Sequence, residues 1–162
     1  DLVPRAHVLR LLHEGAALGG LTPFQRDVIE RVMRLSDVRV SNVMIPRTRV
    51  AAVPRNIRRE DFLRIVRMAH FSRLPVFDGD PRRVIGVVYA FDVLSDAQPR
   101  PIVEYMRPPL TLREHEGVSA ALLRLQRARE AMAIVQDRAG NCLGILTLKD
   151  LVEEIVGDLE VW

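Results

Sequence analysis

Short apolar runs come in pairs along this chain, each pair split by a polar turn. "LPVF" at 74–77 and "VIGVVY" at 84–89 flank "DGDPRR", and "MAIV" at 132–135 and "CLGILT" at 142–147 flank "QDRAGN". Apolar runs of this length, bounded by Gly, Pro, Asp and Asn, predict buried strands joined by turns. A stretch with helical spacing precedes each pair: "REDFLRIVRMA" at 59–69 and "VSAALLRLQRA" at 118–128. Another helix-like run follows each pair, starting near Asp92 and near Asp150. Short extended pieces after Met-x-Pro, "VMIPRTRVAAVP" at 43–54 and "YMRPPLTLREH" at 105–115, open the two series. The order strand–helix–strand–strand–helix is therefore written twice.

The two series align. "LPVFDGDPRRVIGVVYAFDVL" at 74–94 lies on "MAIVQDRAGNCLGILTLKDLV" at 132–152 without a gap, at an offset of 58 (144 − 86), with Gly86 on Gly144 and Asp92 on Asp150. Repetition at a fixed period of this size indicates two copies of one supersecondary unit. Neither copy is large enough to bury a comfortable core alone, so the copies should pack sheet to sheet. The expected fold is α/β: two β-α-β-β-α repeats related by a pseudo-twofold axis. The expected divisions are an N-terminal helical linker at 1–39, copy one at 40–97 and copy two at 102–157.

The linker is expected to be helical. "AHVLRLLHEGAALGG" stops at a glycine pair, and "TPFQRDVIERVMRL" opens with Thr22 at the N-cap and Pro23 in the first turn. Gln25 completes a capping box with Thr22. Phe24, Val28, Ile29, Val32 and Leu35 form an apolar stripe at helical spacing.

Composition narrows the class. The 162 residues are 48% hydrophobic, enough for a packed core and against disorder. The longest apolar candidate, "VIGVVYAF" at 84–91, is too short to span a bilayer. The single cysteine, Cys142, excludes an internal disulfide framework and a thiolate metal cluster, and fits a reducing compartment. The net charge of +3 comes from arginine, since Lys149 is the only lysine. The arginines are scattered and aromatic residues make up 5%, so the footprint of a nucleic-acid-binding surface is missing.

Three phrases carry a specific resemblance: "ERVMRLSDVRVSNVMIPRTRV" at 30–50, "SRLPVFDGD" at 72–80 and "LGILTLKDLVEEIVGDL" at 143–159. Together they resemble a pair of cystathionine-β-synthase (CBS) domains, a Bateman module. More narrowly, they resemble the CBS pair of the CorC/HlyC and cyclin M family of magnesium- and cobalt-transport-associated membrane proteins. The resemblance implies a cytoplasmic domain of an inner- or plasma-membrane protein, with a membrane domain in cis and a further small domain after Trp162. It also implies a homodimer formed through the helices, and an adenosine nucleotide, ATP or AMP, as ligand. Mg²⁺ is the ion such a ligand would bring to neutralise its phosphates.

The resemblance also implies that a Gly-x-x-Thr/Ser-x-x-Asp phrase reads the ribose. Copy two keeps it as Gly144, Thr147 and Asp150. An ionised Asp accepts from both ribose hydroxyls, a Thr hydroxyl reaches the ribose or first phosphate, and the next helix offers free N–H groups. The bland alternative is that Thr147 or Asp150 simply caps that helix. Copy one has Gly86, Tyr89 and Asp92, where Tyr89 replaces the small hydroxyl residue and marks a degenerate second site. Arg73, just before Leu-Pro-Val, is a phosphate candidate, and otherwise one more solvated arginine. Strand edges at 110–112 and 133–135, with Thr111 and Ile134, are candidates to supply backbone groups to adenine. Thr48 and Arg47 are weaker candidates, and Pro46 and Met44 read as structural. Lys149 stands where the family often has an acidic residue.

An enzyme is not expected: Gly-x-Ser-x-Gly, His-Glu-x-x-His and Walker phrases are missing, and His7, His13, His70 and His115 have no ligand spacing. The acidic "EEIVGDLE" at 153–160 reads as a solvated helix face. The two remaining classes are a regulatory nucleotide sensor and a structural dimerisation module without a ligand.

Overall fold

The computed structural model describes residues 22–27, 30 and 37–156. The helix expected to end at the glycine pair, the stripe residues Val28, Ile29, Val32 and Leu35, and the acidic stretch past 156 lie outside these residues. Residues 23–27 are helical. Their capping box forms as read: Gln25 N donates to Thr22 Oγ1 and Thr22 N to Gln25 Oε1, both at 3.1 Å.

The ordered elements begin with α1 (Val40–Val43), β1 (Ile45–Pro46), a 3-10 turn (Arg47–Arg49) and β2 (Val53–Pro54). Next come α2 (Arg59–Ala69), β3 (Arg73–Phe77), β4 (Val84–Tyr89), α3 (Ala90–Ser95) and a second 3-10 turn (Ile102–Tyr105). Copy two supplies β5 (Thr111–Arg113), α4 (Val118–Ala128), β6 (Met132–Gln136), β7 (Cys142–Thr147) and α5 (Leu148–Val156). Both long helices stop in the same way, on a left-handed residue that is not glycine: His70 at φ 52° and Arg129 at φ 54°. That conformation costs such residues about 1–2 kcal/mol, and in both copies it turns the chain sharply back into the next strand.

In copy one the sheet order is β2-β3-β4, with β2 parallel to β3 and β3 antiparallel to β4. Copy two repeats this as β5-β6-β7 and gains β1 as a fourth strand, antiparallel to β7, with Ile45 opposite Ile145. The lead-in to copy one thus pairs with the sheet of copy two. The exchange is reciprocal: Arg107, in the lead-in to copy two, bridges to Val87 of copy one. A Cβ on Gly144 would collide with the Ile45 carbonyl, and one on Gly86 with the Met106 side chain. These two aligned glycines are therefore where the exchanged segments cross.

The cores follow this exchange. Val40, at the start of copy one, is fully buried among Leu112, Val118, Leu125, Leu146 and Leu151 of copy two. Ile102 and Tyr105, at the start of copy two, are buried among Val53, Phe62, Leu74 and Val88 of copy one. Between the sheets, Val87 meets Met132, Ile134, Cys142 and Ile145. Burying each large apolar side chain contributes about 1.5–3 kcal/mol, so the inter-sheet seam is a true core.

The strand pairing corrects the gapless alignment. Arg73 lies opposite Tyr89 in copy one, and Met132 lies opposite Thr147 in copy two. Arg73, not Leu74, is thus the counterpart of Met132, because the turn of copy two is one residue shorter than that of copy one. The letters favour the gapless alignment because it sets Leu-Pro-Val-Phe on Met-Ala-Ile-Val, whereas the structural register sets Arg73 on Met132 and Phe77 on Gln136.

Candidate functional site

Strand β7 ends on Thr147 and α5 begins at once, so the Thr147 side chain stands at the mouth of the helix. Its Oγ1 accepts from the Asp150 backbone N–H at 3.1 Å, the geometry of an N-cap. The same hydroxyl donates to the Asp150 carboxylate. Thr147 is thus the cap, and Asp150 sits in the first turn, where the helix dipole favours negative charge. Leu148 N donates to Ala131 O at 2.8 Å, which pins this corner to the strand beside it.

Capping does not exhaust the pair. Thr147, Lys149 and Asp150 line a cavity of about 450 Å³ whose opposite wall comes from copy one: Ala69, His70, Phe71, Ser72 and Arg73. Ile45, Ala131, Met132 and Ile145 give it an apolar side. The volume is in the range of small-ligand sites, about 300–1,000 Å³. Arg73 bonds to Ser72 Oγ at 3.3 Å, while its buried Nε has no hydrogen-bond partner.

The cleft related to this one by the repeat is closed. Arg73, Val87, Tyr89, Arg107, Glu130 and Met132 surround only about 10 Å³ there. Tyr89 occupies the position that Thr147 holds in copy two, and its hydroxyl donates to Glu130 Oε2. Its ring lies under two guanidinium groups, Arg107 at 4.1 Å and Arg73 at 5.0 Å from the centroid. Arg107 also grips Asp92 in a fork, Nε to Oδ2 and Nη2 to Oδ1, each at 2.9 Å. Burial, together with the bond to Glu130, pushes the Tyr89 phenol above its usual value.

The structure therefore gathers Arg73, Thr147 and Asp150 around one open cavity, while Tyr89 fills the other cleft and Asp92 stands outside its lining, tied to it through Arg107. It does not bring Thr48, Thr111 or Ile134 to the open cavity. Thr48 is exposed on the 3-10 turn. Thr111 lies on the outer strand β5, where its carbonyl accepts from Arg124 at 2.9 Å. Ile134 is fully buried in the seam between the sheets. Edge strands suggested Thr111 and Ile134, but the cavity opens at the other end of β6, beside Ala131 and Met132.

The cavity wall at 69–72, together with Arg107 and Glu130, escaped the sequence reading. The wall is placed by the left-handed turn at His70, and helical periodicity carries no signal for a non-glycine residue in that conformation. Elsewhere, Cys142 is buried and its thiol is pushed up by that burial. His115 sits 3.4 Å from Glu114 at the surface. Among the described residues no helix is long and apolar enough to cross a membrane.

Comparison with known proteins places this geometry. The CBS-domain family model matches residues 40–97 and 102–157. The magnesium and cobalt efflux protein CorC of Vibrio cholerae is 36% identical over 139 residues, which are 83% of this chain and 48% of that protein. The CorC of Escherichia coli K12 is 31% identical over 160 residues, 96% of this chain and 55% of that protein. The chain thus spans about half the length of these curated relatives. Among solved structures, the CBS domain of a bacterial CNNM/CorC family Mg²⁺ transporter in complex with ATP superposes with a TM-score of 0.77. It shares 32% identity and covers 83% of this chain and 99% of that one.

Proposed function

This chain belongs to the CBS-domain family as a CorC/CNNM-type pair, and from that premise we propose that it is a regulatory module binding an adenosine nucleotide. The observation that carries the reading is the asymmetry of the two clefts, one of about 450 Å³ holding Arg73, Thr147 and Asp150 and the other plugged by Tyr89. In this reading Asp150 accepts from the ribose hydroxyls, Thr147 holds the carboxylate in place and caps the helix, and Arg73 meets a phosphate. The apolar side formed by Ile45, Met132 and Ile145 takes the adenine ring. The relative with ATP bound supports this choice of ligand.

The module acts without chemistry of its own. Both walls of the cavity come from different repeats, so a ligand that fills it favours one relative setting of the two sheets. Such differential affinity is what a regulatory signal requires. The signal passes to a membrane domain in the same polypeptide, with the module in the cytoplasm. A second copy of the chain is the partner: Phe91 (76% exposed) and Leu94 (59%) on α3 and Met68 (78%) on α2 leave apolar surface that an isologous dimer covers.

A thermal-shift titration with AMP and ATP tests the ligand. A ligand at about one hundred times its Kd adds about 2.7 kcal/mol of stability and raises the Tm. An unchanged Tm at millimolar nucleotide would favour the alternative, a dimerisation module with no ligand.

A further inference from the structure

We propose that the open cleft takes the free polyphosphate form of its nucleotide, not the Mg²⁺ complex, with Lys149 and Arg73 supplying the positive charge that the ion would bring. The inference rests on the nucleotide reading above.

Mg²⁺ demands an octahedron of oxygen ligands and normally takes one or two carboxylates in addition to substrate phosphates. The lining of this cleft does not fit that demand. Among the described residues Asp150 is its only carboxylate, and in the nucleotide reading that group serves the ribose hydroxyls. No group of three His, Cys, Asp or Glu among the described residues could hold a metal ion. The remaining polar side chains of the lining are two cations, Arg73 and Lys149, the Ser72 and Thr147 hydroxyls and the His70 ring.

The electrostatics follow from this inventory. A Mg²⁺ ion on a triphosphate cancels two of its negative charges and occupies the oxygens that Arg73 and Lys149 would meet. It weakens both attractions and finds no further carboxylate in return. The Arg73 guanidinium lines the cleft, with Nη1 3.3 Å from the Ser72 hydroxyl, where a phosphate oxygen can compete for it. Lys149 is exposed and only loosely paired, 3.8 Å from Glu153, so its ammonium can move to a phosphate at little cost.

Calorimetric titration of the protein with ATP, in EDTA and in excess Mg²⁺, tests this directly, with AMP as a ligand whose single phosphate barely holds the ion. The expected result is ATP binding at least threefold tighter in EDTA, with AMP affinity the same in both buffers. Lys149→Glu, which keeps the Tm of the unliganded protein, should remove or reverse the ATP preference and leave AMP unaffected. ATP binding tighter with Mg²⁺ would overturn the inference while leaving the nucleotide reading intact. A preference unchanged in Lys149→Glu would overturn the assignment of Lys149. No binding of AMP or ATP in either buffer would overturn the inference and the nucleotide reading together.

Discussion

Gly144 lies opposite Pro46 on the neighbouring strand, so close to the Ile45 carbonyl that the backbone of that strand occupies the space a Cβ would need. The equivalent Gly86 lies beneath Met106 and Arg107. At Gly144 the obstacle is all backbone, whereas at Gly86 the nearest atoms belong to a flexible methionine side chain. The two glycines, identical in the repeat, therefore differ in tolerance.

Gly144→Ala should cost about 2–3 kcal/mol, toward the upper end of what overpacking costs. Gly86→Ala should cost less, since Met106 can change rotamer and the Arg107 carbonyl, at 2.9 Å, need yield only a few tenths of an ångström. Urea denaturation of the two variants compares them; equal midpoints would mean that the crossing strand shifts as easily as the side chain.

Thr147 and Asp150 can be separated by two measurements on two variants. Thr147→Val removes the cap and should lower stability by about 1 kcal/mol. Asp150→Ala should weaken adenosine-nucleotide binding at least tenfold, about 1.4 kcal/mol. Asp92→Ala should barely alter binding, because Arg107 already holds that carboxylate. If calorimetry finds wild-type affinity in Asp150→Ala, the residue serves the helix alone.

The closed cleft should be open to repair. Tyr89→Thr combined with Arg107→Ile introduces the residue types that copy two uses around its own cavity. The double variant should bind nucleotide with a stoichiometry approaching two per chain. Losing the bond from Tyr89 to Glu130 should lower its stability by about 1.5–3 kcal/mol, the range for hydrogen bonds to charged groups. A stoichiometry that stays at one would show that Glu130 and Arg73 still block the space.

Tyr89 also sets an alkaline limit. Its folded phenol holds its proton more tightly than the unfolded one, whose usual value is 10.0. The associated stability is fully present below pH 10 and is lost as pH rises through the folded value. The denaturation midpoint should fall more steeply above pH 10 in the wild type than in Tyr89→Phe. Parallel curves would assign the loss to other groups.

Phe91→Asp should shift the chain toward monomer in light scattering, without changing the Tm of the monomer, because the side chain touches little of its own core. A dimer that survives this substitution and Met68→Glu must use another face.

Much of the fold could be read from the chain because it is local. The two long helices, β4 and β7 have the bounds that the apolar pattern predicts, and the Thr22–Gln25 box forms as its spacing requires. The Thr147–Asp150 pair was legible for the same reason, since three positions at a helix start bring the side chains together. By itself the sequence determined the repeat, its elements and the altered chemistry at Tyr89.

Tertiary structure alone decided what those elements face. Nothing local indicates that Val40 packs in the core of copy two, that Ile102 packs in the core of copy one, or that Glu130 meets Tyr89 from the other repeat. Nor does it indicate that Arg73 of copy one completes the cavity of copy two. Periodicity records which side of a helix or strand is buried, not the partner that buries it. The partner is chosen by packing between segments distant in the chain, and that packing left one cleft open and filled the other.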